Sequence, residues 1–259
     1  MRILVTNDDG IGAEGIAVLV RRLSRSHEVT VVAPEVEQSA CSHALSLHRP
    51  LRLKQVRSGW WSVDGTPADC VNLAVRGIMK KSPPELVVSG INFGPNLGTD
   101  VLYSGTVAGA VEGAIMGIPS VAVSLVAGNG DPPRFGPAAA FAAMLAGRLG
   151  RVCLPADTCL NVNVPLAAAG ARVPARVTKL GKRRYTKVVS QRIDPRGRRY
   201  YWIGGDPREH DRSRLCDSHA VRHGFISVTP LRLDMTAHEH EEFVRTRLLG
   251  GRLSDGASE

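Results

Sequence analysis

Two adjacent carboxylates, Asp8 and Asp9, stand directly after the apolar run Ile3-Leu4-Val5 and the pair Thr6-Asn7, and Gly10 follows them. Like charges side by side repel, and each loses hydration when the run before them is buried. A bound divalent cation offsets both costs, so the doublet is a candidate metal site. Asp-Asp-Gly also closes ordinary solvated turns, and the doublet alone leaves both readings open. The polar stretch Pro34–His43 carries Ser39, whose hydroxyl is able to reach such a site or to cap a turn. The stretch Gly90–Asp100 carries Asn92, whose amide oxygen suits a hard cation. Tyr103-Ser104-Gly105-Thr106 opens a helical pattern. Backbone N–H groups at a helix start, with hydroxyls beside them, form an anion pocket. Capping is the other use of Ser104 and Thr106.

The elements that must position these residues are legible in the periodicity. Arg2–Thr6 is a short buried strand, and Ile16, Leu19, Val20 and Leu23 recur at helical spacing across roughly 14–25. Glu28–Ala33 is a second strand, which completes a βαβ unit and implies a parallel sheet. The alternation over 44–63 predicts antiparallel excursions at the sheet edge. Thr66 and Pro67 form a helix start, with the helix running through Ile78. Strands are predicted at Glu85–Ser89, Pro119–Leu125 and Cys159–Val164, and helices at 106–117 and Ala138–Leu149. Gly109, Gly113 and Gly117 leave one face of the 106–117 helix bare, which predicts close packing of that face on the sheet. The alternation of strand and helix to about residue 165 predicts an α/β, Rossmann-like, doubly wound, mostly parallel core over 1–165.

Residues 166–259 are expected to form an extension within the same single domain. Val173–Lys179 and Lys187–Arg192 alternate, Asp194–Gly197 is a turn, and Tyr200–Ile203 returns as a strand, so a basic, aromatic hairpin arm is expected. Phe225–Leu231 reads as a strand and Glu239–Leu249 as a closing helix. Residues 172–214 hold fourteen Lys and Arg against four Asp and Glu, a net of +10, whereas the whole chain carries +9. The basicity therefore belongs to this segment. It suits anionic substrates or nucleic acid, or it is a solvated surface.

The 259 residues are enough for one large core without staples. The five cysteines, at 41, 70, 153, 159 and 216, have no zinc-ligand spacing, which is the usage of a reducing cytosol. Met1-Arg2 leads straight into the first strand, so neither a signal peptide nor a membrane span is expected, and the expected location is cytoplasmic. The first loop, Asn-Asp-Asp-Gly-Ile-Gly, lacks GxGxxG, which argues against a nucleotide-dependent oxidoreductase. His43, His48 and His238 stand alone in the sequence and are read as structural.

Aligned in order, these loops resemble the SurE (survival protein E) family of metal-dependent 5′-nucleotidases. The resemblance rests on several stretches: Asn7-Asp8-Asp9-Gly10, Val32-Ala33-Pro34 with Ser39, Gly65–Cys70, Val88–Gly98 and Tyr103–Ala110. Asp194–Gly197, Ile226–Leu231 and Thr236-Ala237-His238 extend it toward the end of the chain. It implies a Rossmann-like core with a swapped hairpin or C-terminal arm that builds a homodimer or homotetramer. It also implies one divalent cation per subunit held by Asp8, Asp9, Ser39 and Asn92, and a phosphate pocket of Asn96, Ser104, Gly105 and Thr106. Oxygen ligands of these kinds select Mg²⁺ or Mn²⁺, with Ca²⁺ as a further hard ion. The implied reaction removes phosphate from nucleoside 5′-monophosphates, with 3′-nucleotides and short polyphosphate as possible further substrates. Either an activated water attacks, with Asp8 or Asp9 as base, or Asp8 is a covalent nucleophile. Two positions depart from the family pattern: Gly12 stands where His is common, and Cys216-Asp217 where Thr-Asp is common. The competing reading is nucleic-acid binding by the arm 172–214, with Tyr185, Tyr200, Tyr201 and Trp202 as stacking platforms.

Overall fold

The computed structural model describes residues 1–127, 130–168, 170–185, 189–204, 207–209 and 213–250; for 184, 185 and 207–209 it describes the backbone alone. Lys187 and the side chain of Tyr185 lie outside the described residues.

The chain opens with β1 (Arg2–Thr6), α1 (Glu14–Leu23) and β2 (Glu28–Pro34). A hairpin follows, β3 (Leu53–Arg57) and β4 (Trp60–Val63). Then come α2 (Pro67–Leu73), β5 (Leu86–Phe93) and α3 (Gly105–Ile115). Next are β6 (Ser120–Val126), α4 (Gly136–Leu149) and β7 (Thr158–Pro165). The later elements are β8 (Ala175–Val177), β9 (Arg183–Tyr185), β10 (Val189–Ile193), β11 (Arg199–Ile203) and β12 (Pro207–Glu209). The last are α5 (Asp217–Arg222) and β13 (Ile226–Arg232).

Nine strands form the central sheet in the order β3-β4-β2-β1-β5-β6-β7-β13-β8. The six from β4 to β7 run parallel, β13 is antiparallel to β7, and β3 is antiparallel to β4. The α/β class and the doubly wound architecture are thus as expected. Helices α1 and α4 cover one face around Ile16, Leu19 and Ala142, and α2 and α3 cover the other. From β1 the chain first builds outward to β2 and β4, then returns to β5 and builds the opposite way. The gap between the carboxyl ends of β1 and β5 is therefore the topological switch point, where α/β sheets open their ligand crevice.

Several expectations are corrected. The edge excursion pairs only from Leu53; Leu45 and Leu47 lie in irregular, exposed chain. Strand β5 runs four residues past Ser89, so Asn92 sits in a strand, next to a register irregularity against β6. The segment around 173–179 is not part of the arm: β8 pairs with β13 at the edge of the main sheet. The arm proper is β10 paired with β11, joined by the Asp194–Gly197 turn. The expected closing helix is a run of exposed helical turns between His238 and Leu248 that buries none of its residues.

The bare face of α3 has two causes. A Cβ on Gly109 would lie 2.8 Å from Ser89 Oγ, and one on Gly113 would collide with Ser120 Oγ and lie 2.8 Å from Val87 Cγ2. These two glycines let the helix sit directly on β5 and β6. Gly117 has open space around it and a φ of +74°, so it serves the left-handed exit of the helix. Gly113→Leu is expected to destabilise the protein by about 2 kcal/mol or more through overpacking, and Gly117→Ala by about 1 kcal/mol. Gly117→Asn should lose least, because Asn tolerates this φ. Thermal melting of the three variants tests that order.

Candidate functional site

Strand β1 delivers Asp8 and Asp9 to the switch point. Asn7 shapes the turn: its Nδ2 donates to Gly10 O at 2.8 Å, with both residues buried. The loop after β2 is tied to the same turn, since Gln38 N–H donates to Asp8 O at 2.7 Å and Ile11 N–H to Pro34 O at 2.8 Å. Ser39 follows Gln38 and is exposed, with its hydroxyl donated to Glu37 Oε1 at 2.5 Å. Asn92 enters from β5. Its Nδ2 donates to Gly94 O at 2.9 Å, which leaves Oδ1 as its open atom.

Asp8 is 5% exposed and rests on the N-terminus of α3. Thr106 donates both its hydroxyl and its backbone N–H to this carboxylate. The helix start read as an anion pocket thus already holds an anion, the chain's own Asp8. Thr106 is fully buried behind Asp8 and does not open onto the cleft. Gly105 is required by the same contact, because a Cβ there would lie 2.8 Å from Asp8 Cβ. Ser104 is the N-cap: its Oγ accepts the Val107 N–H at 3.1 Å, so its own proton is free for a ligand.

Burial raises the carboxyl of Asp8 above its ordinary range, against the lowering effect of Thr106. Burial first, then the charge of Asp8, pushes Asp9 up to about 7, although the Phe93 N–H donated to Asp9 Oδ2 at 3.3 Å pulls the other way. The two carboxylates are thus held together where neither is comfortable as an anion.

A cleft of about 680 Å³ joins them with Ser39, Asn92, Asn96 and Ser104. Of the eight residues singled out in the sequence, these six line one cavity, and Gly105 and Thr106 stand behind it. Among the described residues, its charged lining consists of Asp8, Asp9, Glu37 and Asp100, with no Lys or Arg. A cavity with that lining repels anions unless a cation is bound. No described group of three His, Cys, Asp or Glu side chains converges as a metal cluster, so a cation here would rely on the amide and hydroxyl as well. The donor set fits one: two carboxylates, the open Asn92 Oδ1 and the Ser39 oxygen are all hard ligands.

Asn96 is held from the sheet. Its N–H donates to Asn163 Oδ1 at 2.8 Å, and its carbonyl accepts Asn161 Nδ2 at 2.8 Å and Asn163 Nδ2 at 2.9 Å. Its own Nδ2 donates to Ser124 Oγ at 2.8 Å, leaving the second amide hydrogen for a ligand. Buried Asp217 accepts the N–H groups of Gly98 (2.7 Å), Gly181 (2.9 Å) and Ser218 (2.8 Å), fastening the same loop to α5. Arg183 pairs with Asp100 beside it. Sequence reading missed all of these supports. Two asparagines at alternate positions of the apolar run Cys159–Val164 were the available signal, since buried amides demand partners. Two of the lone histidines prove partnered. His43 Nε2 lies 2.6 Å from buried Glu112, and His238 sits between Asp234 (2.8 Å) and Glu241 (2.5 Å). His48 is exposed.

Residues 3–187 match the family model described as "Survival protein SurE". A curated relative named 5′-nucleotidase SurE, from Geobacter sp. (strain M21), is 47% identical over 246 residues, covering 95% of this chain and 98% of its own. Another of that name, from Syntrophotalea carbinolica, is 50% identical over 236 residues, covering 91% and 93%. The crystal structure of the SurE protein from Aquifex aeolicus superposes with a TM-score of 0.85 at 38% identity, covering 96% of this chain and all of that one.

The folded chain holds the Asp9 proton up to about pH 7, whereas the unfolded chain releases it near 3.8. This contribution to stability is whole below about pH 4, falls as pH rises and is lost above about pH 7. With EDTA present, Asp9→Asn should therefore melt at least about 2 °C above the parent at pH 8, and the gap should shrink toward pH 4.5. Melting curves across pH check this.

Proposed function

The chain belongs to the SurE family, and from that premise we propose that it is a metal-dependent 5′-nucleotidase, cleaving nucleoside 5′-monophosphates to nucleoside and phosphate. The observation that carries this reading is the charge of the cleft. Even with Asp100 paired to Arg183, a phosphate ester has no reason to enter a cavity whose own charged lining, among the described residues, is wholly acidic unless a cation mediates, and the oxygen donors for one line that same cavity.

In this reading Asp8, Asp9, Ser39 and Asn92 hold a hard divalent ion, Mg²⁺ or Mn²⁺. Such an ion, when bound, offsets the carboxylate charges, polarises the phosphoryl oxygen and acidifies a neighbouring water. Thr106 keeps Asp8 in one orientation through its hydroxyl and N–H. Asp9 Oδ2 is steadied by the Phe93 N–H, so Oδ1 is the atom open to take the proton from the attacking water. While Gly105 and Thr106 act from behind the cleft by seating Asp8, the Ser104 hydroxyl and the second amide hydrogen of Asn96 donate to the non-bridging phosphate oxygens. Asn96 does so from a fixed position, because Asn161, Asn163 and Ser124 already hold its backbone and side chain. Donors set in place before the charge develops are effective stabilisers of a transferring phosphoryl group.

We also infer a homo-oligomer. Val189, Tyr201 and Trp202 on the arm and Phe243 and Leu248 on the C-terminal turns are large apolar side chains left in solvent, which a second copy would cover. All five cysteines are free, which suits a reducing cytoplasm. No described helix is long and apolar enough to cross a membrane. Nucleic-acid binding by the arm is not favoured, since it gives the acidic cleft no role.

Purified protein should release phosphate from AMP or GMP with Mg²⁺ or Mn²⁺, and EDTA should abolish the release. Asp9→Asn should stay folded and lose about 100-fold or more of kcat/KM, in line with the loss of a positioned acid–base group and metal ligand. Normal turnover by that variant would remove the metal assignment.

A further inference from the structure

The cleft has two chemistries. Its floor is polar, with Asp8, Asp9, Asn92 and Asn96, while its rim carries Phe93, Tyr103 and Ile203 from three separate elements. Phe93 ends β5, Tyr103 precedes α3, and Ile203 ends β11 of the arm. All three are exposed, at 40%, 61% and 81%. The Phe93 ring is braced edge-to-face against Phe135, with centroids 6.1 Å apart, and its N–H holds Asp9. Tyr103 is fixed through its backbone, since its carbonyl accepts the Ser42 N–H at 3.0 Å and its N–H donates to Asp100 O at 3.0 Å. The family match ends at residue 187, so the arm strand that brings Ile203 to the cleft lies beyond it.

We propose that this rim is the nucleobase subsite, with Tyr103 and the arm residue Ile203 as its specificity-determining walls. This rests on the nucleotidase reading. A nucleoside monophosphate is itself two-ended, with a charged phosphate and a planar apolar-faced base, and the cleft divides in the same way. Every base has a π-face, so an exposed aromatic ring and an aliphatic side chain at the rim grip it with little regard to identity. The arm then contributes to substrate binding, and the substrate class is an aryl- or base-bearing phosphomonoester in preference to a bare sugar phosphate.

The test compares AMP with ribose 5-phosphate, which keeps the reacting ester and lacks the base. For the full-length, Mg²⁺-loaded protein, Tyr103→Ala and Ile203→Ala should each raise KM for AMP about fivefold or more, the loss of one contact to the base. Neither should change kcat/KM for ribose 5-phosphate by more than about twofold. Tyr103→Phe and Ile203→Val, which keep the ring and the aliphatic wall, should behave as the parent. Equal effects on both esters, or no effect on AMP, overturn the subsite while leaving the nucleotidase reading intact. A parent protein inactive on both esters overturns the two together.

Discussion

Two carboxylates share the carboxyl end of one buried strand, and most of the structure around the cleft answers to that fact. Desolvation raises both groups out of their ordinary range, and the charge of Asp8 adds to it at Asp9. The fold offsets part of this cost. Asp8 is set on the N-terminus of α3 and takes two hydrogen bonds from Thr106, and Asp9 takes one from Phe93. The contact is so close that residue 105 must be glycine. What the protein does not offset is the net charge of the cavity, which has no Lys or Arg among its described lining. In the proposed reading a cation completes the arrangement and gives a phosphate somewhere to bind.

The remaining supports hold the loop between β5 and α3. Asn161, Asn163 and Ser124 reach it from the sheet, and Asp217 reaches it from α5. Each contact is to the backbone or to the far side of a side chain, so the loop is fixed without using up the atoms it presents to the cleft. Neither departure from the family pattern disturbs this. Cys216 lends no side-chain cap to α5, yet Asp217 beside it makes all three of its hydrogen bonds. At Gly12 a Cβ would meet nothing within 4 Å, so a larger residue has room there and its absence distorts nothing.

The core was legible because local and tertiary preferences agree in it. The β1–α1–β2 unit, the Thr66 cap with its Pro67 start and the Ala-rich helix α4 all stand where periodicity and capping chemistry put them. The candidate site was legible as a set of residue types, and six of the eight residues meet in one cleft. Two limits were physical. Which anion a helix N-terminus holds depends on what the tertiary fold carries to it, and nothing in the sequence around Ser104 says that Asp8 arrives there. Likewise the partners of Asn96 and Gly98 lie 67 and 119 residues away, beyond any local signal. The 44–52 stretch and the C-terminal turns misled for another reason: alternation or helical spacing was present there without a surface in this chain to bury it.

The central claim is that Asp8 and Asp9 are held as a pair in need of a cation. Calorimetric titration of the metal-free protein with Mn²⁺ at pH 6.5, in two buffers of different ionisation enthalpy, tests it most directly. The account predicts one ion bound per chain with release of a proton, since a cation displaces the one that Asp9 retains near that pH, and loss of both binding and release in Asp8→Asn and Asp9→Asn. Mn²⁺ binding of equal strength in the parent and both variants, or no binding to the parent, would contradict it.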